Sequence, residues 1–88
     1  MERITLKLTN PEGLHARPAA LFVQIANKFS SDLEIEANGK RVNGKSIIGI
    51  MSLGAFQGED ITLIAKGHDE KELIEELKKL FNNDFKLV

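Results

Sequence analysis

The sequence predicts an α+β domain of two layers, an open-faced sandwich in which helices cover one face of an antiparallel sheet. Three observations point there. Three stretches alternate apolar and polar residues at the period of a strand, an Asn-Gly turn gives the second of them a hairpin partner, and stretches of helical character interleave with these in the order βαββαβα. The outward strand positions, Thr5, Lys7, Glu34, Glu36, Thr62 and Lys66, are polar, as a solvated sheet face requires. The length, 88 residues, suits one small domain.

Residues 2 to 9 make the first strand, with Ile4, Leu6 and Leu8 pointing one way and Thr5, Lys7 and Thr9 the other. Asn10-Pro11-Glu12-Gly13 ends it with turn residues. Phe22, Ile25, Ala26 and Phe29 then fall three and four apart, which predicts a helix from Ala16 to Lys28. Leu33, Ile35 and Ala37 alternate again and run into Asn38-Gly39, the pair best suited to positive φ at both central positions of a type I′ turn. That turn predicts a hairpin pairing Ala37 with Lys40, Glu36 with Arg41 and Ile35 with Val42.

Ser46 precedes Ile47, Ile48, Ile50, Met51 and Leu53, and Gly54 stops the run, so a short helix is expected with Ser46 as its N-cap. Ile61, Leu63 and Ala65 make the fourth strand. Within it Ile64 interrupts the polar outer row and marks an exposed edge or a contact. From Asp69 to Asn82, Leu73, Ile74, Leu77, Leu80 and Phe81 share one helical face. Asp69 and Glu72 stand at capping-box spacing, and Lys78 and Lys79 lie near the end where the helix dipole favours cations.

Composition excludes several function classes. Cysteine is absent, which removes disulfides, thiolate nucleophiles and Cys-based zinc or iron–sulfur sites, and His15 and His68 are the only imidazoles. No apolar run exceeds five residues and the chain opens with charged residues, so neither a membrane span nor a signal peptide is expected. The net charge of −1 is too mild for nucleic acid, and all five Phe lie outside the open face where an RNA-binding sheet needs stacking aromatics. The charge is nevertheless split. Residues 1 to 46 hold 7 basic and 5 acidic side chains, net +2, and residues 47 to 88 hold 5 and 8, net −3. The first part suits docking onto acidic protein partners. A chain of this size buries roughly 60% of its unfolded surface, so chemistry is expected at the surface rather than in an enclosed site.

The segment Gly13-Leu14-His15-Ala16-Arg17-Pro18 lies where the first loop enters the first helix. Pro18 belongs in the first turn, where its missing N–H has no intrahelical partner anyway. The N–H groups of Ala16 and Arg17 are then free to meet an anion beside the His15 ring, and the helix dipole adds positive potential there. An ordinary imidazole titrates at about 6.5, so a neutral nitrogen lone pair is available to attack a phosphoryl group. The product's oxygens would meet backbone donors and a guanidinium able to bind them bidentately. Taken singly, His15 and Arg17 are ordinary surface residues and Ser46 is explained by capping alone.

The run GLHARPAA, the run NGKSIIGIMSLG and the element order resemble HPr, the histidine-containing phosphocarrier family of the bacterial sugar phosphotransferase system, and the resemblance covers the whole chain. It implies a sheet of order 1-4-2-3 with three helices on one face. It further implies a carrier rather than a self-contained enzyme, cytoplasmic and without cofactor or metal. In the family, the histidine matching His15 takes a phosphoryl group on Nδ1 from enzyme I, itself charged by phosphoenolpyruvate, and passes it to sugar-specific IIA proteins or domains. Arg17 matches the phosphate-binding arginine. A carrier that exposes its docking face is expected to be a monomer.

Around Ser46 the sequence is similar to the Gram-positive version of the family, in which an ATP-dependent HPr kinase/phosphorylase modifies the matching serine. The modified form engages the catabolite control protein, a transcription regulator. Phosphate at an N-cap sits where the dipole favours it, so the helix should survive modification. Regulation would then act on docking, through a new anion near a basic surface around Arg17 and Lys45. Ile47, Ile48 and Met51, with Lys45, are the expected docking residues, since one short helix cannot bury every apolar side.

Glu12 departs from the family, where a small hydroxyl or amide residue is common. A carboxylate there either opposes the incoming phosphate and favours the protonated imidazole, or points to solvent. His68 matches no functional position. Two neighbouring readings remain: the nitrogen-related HPr paralogue, and the HPr-like regulatory modules of catabolite repression, which keep the serine and lack the histidine. His15 argues against the second, and the Ser46 region against the first.

Overall fold

The computed structural model describes residues 1–86. β1 (Glu2–Lys7), α1 (Ala16–Ala26), β2 (Asp32–Ala37), β3 (Lys40–Asn43), α2 (Ile47–Met51), β4 (Asp60–Lys66) and α3 (Glu70–Asn82) follow one another in the order that the periodicities and the Asn-Gly turn predict. The strands form one antiparallel sheet in the order β1-β4-β2-β3. β4 therefore runs inside the sheet, where Leu63 faces Ile4 of β1 on one side and Ile35 of β2 on the other. The three helices cover the face carrying Ile35, Ile61 and Leu63, all fully buried.

The hairpin is the one that local turn chemistry demands. Asn38 and Gly39 both take left-handed backbone, φ 55 and 74, and the register pairs Ala37 with Lys40, Glu36 with Arg41 and Ile35 with Val42. The Arg41 guanidinium reaches the Glu36 carboxylate at 3.2 Å on the open face. β1 ends two residues early because the Leu8 N–H and C=O are taken by Glu59 and Gly58 of the loop before β4. α1 ends at Ala26 rather than Lys28, as the N–H groups of Lys28 and Phe29 close tighter turns onto Ile25 and Ala26. Ile64 is neither an edge nor exposed. It lies on interior β4 between Arg3 and Glu34 and is only 7% exposed, flanked by long charged residues whose aliphatic stems can shield it.

The capping box expected of Asp69 and Glu72 does not form, and the Asp69 side chain makes no cap bond to α3. Its carboxylate instead reaches the turn after α1, where it accepts the N–H of Ser30 at 2.9 Å, the N–H of Ser31 at 3.0 Å and the Ser31 hydroxyl. Several donors at once outweigh a single local one. Led by the Ser31 hydroxyl, they hold the carboxyl at about 2, below its ordinary 3.8. At the other end, α3 closes in a Schellman turn: Phe85 N–H donates to Leu80 O at 2.9 Å and Asp84 N–H to Phe81 O at 3.1 Å, with Asp84 at φ 52. The turn drops the Phe85 ring into the core, 4.9 Å from that of Phe81, which meets Phe22 edge-on at 6.4 Å.

Candidate functional site

The loop between β1 and α1 is fixed from inside. Asn10 is fully buried, and its Nδ2 donates to the Gly13 carbonyl at 3.0 Å and to Glu12 Oε1 at 3.3 Å. Gly13 adopts φ 68 against the loop after α2, where a Cβ would lie 2.5 Å from the Ala55 carbonyl oxygen. Leu14 donates its N–H to that same carbonyl at 3.1 Å and buries its side chain. These contacts deliver His15 as the N-cap of α1, in extended backbone, exposed, its side chain making no cap bond. Ala16 follows at φ 44, a left-handed conformation that costs an L-residue about 1–2 kcal/mol.

Among the described residues, the N–H groups of Ala16 and Arg17 have no hydrogen-bond partner, and the first turn holds no acid. Pro18 is buried beneath them. The Arg17 guanidinium is half exposed and has two protein acceptors. Nη1 donates to the Phe85 carbonyl at 2.9 Å, and Nη2 lies 3.9 Å from Glu12 Oε2. Glu12 thus turns towards Arg17. Its own backbone N–H and the Asn10 amide hold its carboxyl below the usual carboxylate range, with Arg17 and Lys86 adding to the effect. An exposed imidazole, two free backbone donors and a guanidinium on neutral or weakly held acceptors are the parts needed to take up a phosphoryl group and steady its oxygens.

Ser46 caps α2 as its position implies, Oγ accepting the Gly49 N–H at 3.1 Å. Of the expected docking residues, Ile48 is 78% and Ile47 39% exposed, whereas Met51 is half-buried against the core and their neighbour Ile50 is fully buried. Lys45 donates its ammonium to the Phe29 carbonyl at 2.7 Å, beyond the C-terminal end of α1. Arg17 sits at the opposite end of this 11-residue helix, which is about 16 Å long at its standard rise. The single basic surface expected around Arg17 and Lys45 is therefore two separate places. His68 lies by the turn after α1, its Nδ1 3.3 Å from Ser30 Oγ.

Periodicity had nothing to say of Phe56, a lone aromatic in a loop. It is 69% exposed, with its N–H held by Glu59 at 3.1 Å, directly after the Ala55 that seats Leu14. A cleft of about 510 Å³ on the open face, lined by Asp32, Glu34, Arg41, Ile64 and Lys66 among others, includes neither His15 nor Arg17. No group of three His, Cys, Asp or Glu able to hold a metal occurs among the described residues.

The family model for the PTS HPr component phosphorylation site matches residues 2–83. The chain belongs to the HPr family. Among curated HPr relatives, the HPr-like protein Crh of Bacillus subtilis is 60% identical over 65 residues, covering 74% of this chain and 76% of that protein. The phosphocarrier protein HPr of Buchnera aphidicola is 56% identical over 72 residues, 82% and 85% of the two chains. HPr-C-His from Thermoanaerobacter tengcongensis superposes with a TM-score of 0.94 at 53% identity, over 97% of this chain and 96% of the other. A crystal structure of Bacillus subtilis Crh as a domain-swapped dimer gives 0.75 at 48% identity, over 96% and 94%. The HPr fold predicted from the resemblance, including the order 1-4-2-3, is the one found.

Proposed function

We propose that the chain is a phosphocarrier of the sugar phosphotransferase system, accepting a phosphoryl group on His15 from phospho-enzyme I and handing it to IIA proteins or domains. The observation that carries this is the exposed imidazole at the start of α1 beside the free Ala16 and Arg17 N–H groups and the Arg17 guanidinium. In the transfer, the Nδ1 lone pair forms the bond to phosphorus while the bond from phosphorus to the donor breaks, its electron pair leaving with the donor. The backbone donors and Arg17 take the phosphoryl oxygens. Ser46 is the regulatory site, modified by an HPr kinase/phosphorylase and read by the catabolite control protein. Its hydroxyl stands on the first turn of α2, next to exposed Ile47 and Ile48. The carrier works as a cytoplasmic monomer, because the site has to enter the pockets of successive partners.

The similarity to Crh favours a second reading, a regulatory module that acts through Ser46 alone. Incubation with enzyme I and phosphoenolpyruvate, and separately with HPr kinase and ATP, distinguishes them. The carrier gives an acid-labile mark lost in His15→Ala and an acid-stable mark lost in Ser46→Ala. The regulatory module gives the second mark only, and an acid-labile mark that survives His15→Ala would sink the carrier assignment.

A further inference from the structure

We propose that Glu12 is a built-in stand-in for the phosphoryl group: it shares Arg17 with the Phe85 carbonyl in the unmodified protein, and it repels the phosphate once His15 carries one. This rests on the phosphocarrier reading and says how firmly such a carrier holds its cargo.

The carboxylate is aimed. Oε1 is held at 3.3 Å by Nδ2 of Asn10, a fully buried residue whose amide also holds the Gly13 carbonyl, so Glu12 shares the frame that seats His15. Oε2 lies 3.9 Å from Arg17 Nη2, and the other terminal nitrogen of the guanidinium donates to Phe85 O at 2.9 Å. Arg17 thus already faces one charged and one neutral oxygen. A phosphoryl group two residues earlier in the chain, carrying about −1.5 to −2 charges, outcompetes both. When the guanidinium moves to the phosphate, Asn10 still holds the carboxylate in the same loop, three residues before the phosphohistidine, and the anion it leaves there opposes the phosphate. With its carboxyl held below the usual range by its backbone N–H and Asn10, Glu12 stays charged at neutral pH. Glu12 and Arg17 are each 53% exposed, so the effect is that of a solvent-screened pair, a factor of about two to five.

The direction suits a relay. A carrier that binds its phosphoryl group too well is a poor donor, and a fixed neighbouring anion keeps the group easy to release. Glu12→Gln keeps an oxygen for Asn10 and removes the charge.

The first arm of the test needs no partner protein. In a His68→Gln background, phosphoramidate phosphorylates His15, the nitrogen–phosphorus bond forming as ammonia departs. Urea midpoints are then compared for the free and phosphorylated forms, with and without Glu12→Gln. Phosphorylation should lower the midpoint by a few tenths of a molar more when Glu12 is present than in the Glu12→Gln variant, and the gap should close in 1 M salt. A substitution that shifts both forms equally would mean that Glu12 only braces the loop, and the proposal falls. In a second arm, Glu12→Gln should move the equilibrium with phospho-enzyme I about two- to fivefold towards the phosphorylated carrier, and an unmoved equilibrium overturns it as well. If enzyme I phosphorylates neither form, the carrier reading fails, while the phosphoramidate arm still decides the role of Glu12.

Discussion

At Gly13 the backbone is left-handed and a methyl group would press on the Ala55 carbonyl, the acceptor of the Leu14 N–H. Gly13→Ala is therefore expected to cost about 1–3 kcal/mol, read from the urea midpoint, and to slow phosphorylation of His15 by displacing its seat. An unchanged phosphorylation rate would show that the seat does not matter to the acceptor. Single residues were legible where their neighbours announce them. Pro18 marks a helix start beside His15 and Arg17, and the apolar run after Ser46 marks a cap. Arg17's own acceptor was out of reach, because Phe85 lies 68 residues further along and offers only a backbone carbonyl. Nothing in the letters foretells Ala16 at φ 44 either, since alanine has no preference for that region.

Among the elements, the junction of α1, β2 and α3 is held by a carboxylate whose charge can be titrated. Asp69 ionises at about 2 in the folded protein against an ordinary 3.8. Its contribution is therefore complete above the higher value and disappears as the pH falls through the lower one. Urea midpoints measured between pH 6 and 2 should fall more steeply for the wild type than for Asp69→Asn, the two curves converging at the acid end. Parallel curves would show that the Ser30 and Ser31 contacts do not favour the charged form. This was the element-scale feature most misread. Capping-box spacing is a local signal, and the donors that captured Asp69 stand 38 and 39 residues upstream. The hairpin was legible for the opposite reason: Asn38-Gly39 settles its register within four residues. Sheet order lay between the two, for periodicity identified the strands while only the family resemblance ordered them.

For the whole molecule, Phe85 ties the far end of the chain to everything else. Its ring completes the Phe22–Phe81 stack, and its carbonyl meets Arg17. Phe85→Ala should cost about 3–5 kcal/mol, with a lower urea midpoint and an unchanged slope. Local fraying of the C-terminal turn alone would leave the midpoint where it is and contradict this account.

That hook also sets an order of events in synthesis. β1 and the His15 loop are made well before their partners, since the strand beside β1 spans Asp60–Lys66 and the acceptor of Arg17 is residue 85. A nascent chain halted before residue 60 holds His15 but neither the strand that pairs with β1 nor the carbonyl that anchors Arg17. Arg17 therefore gains its anchor only after residue 85 has been made, although His15 and Arg17 themselves come 70 and 68 residues earlier.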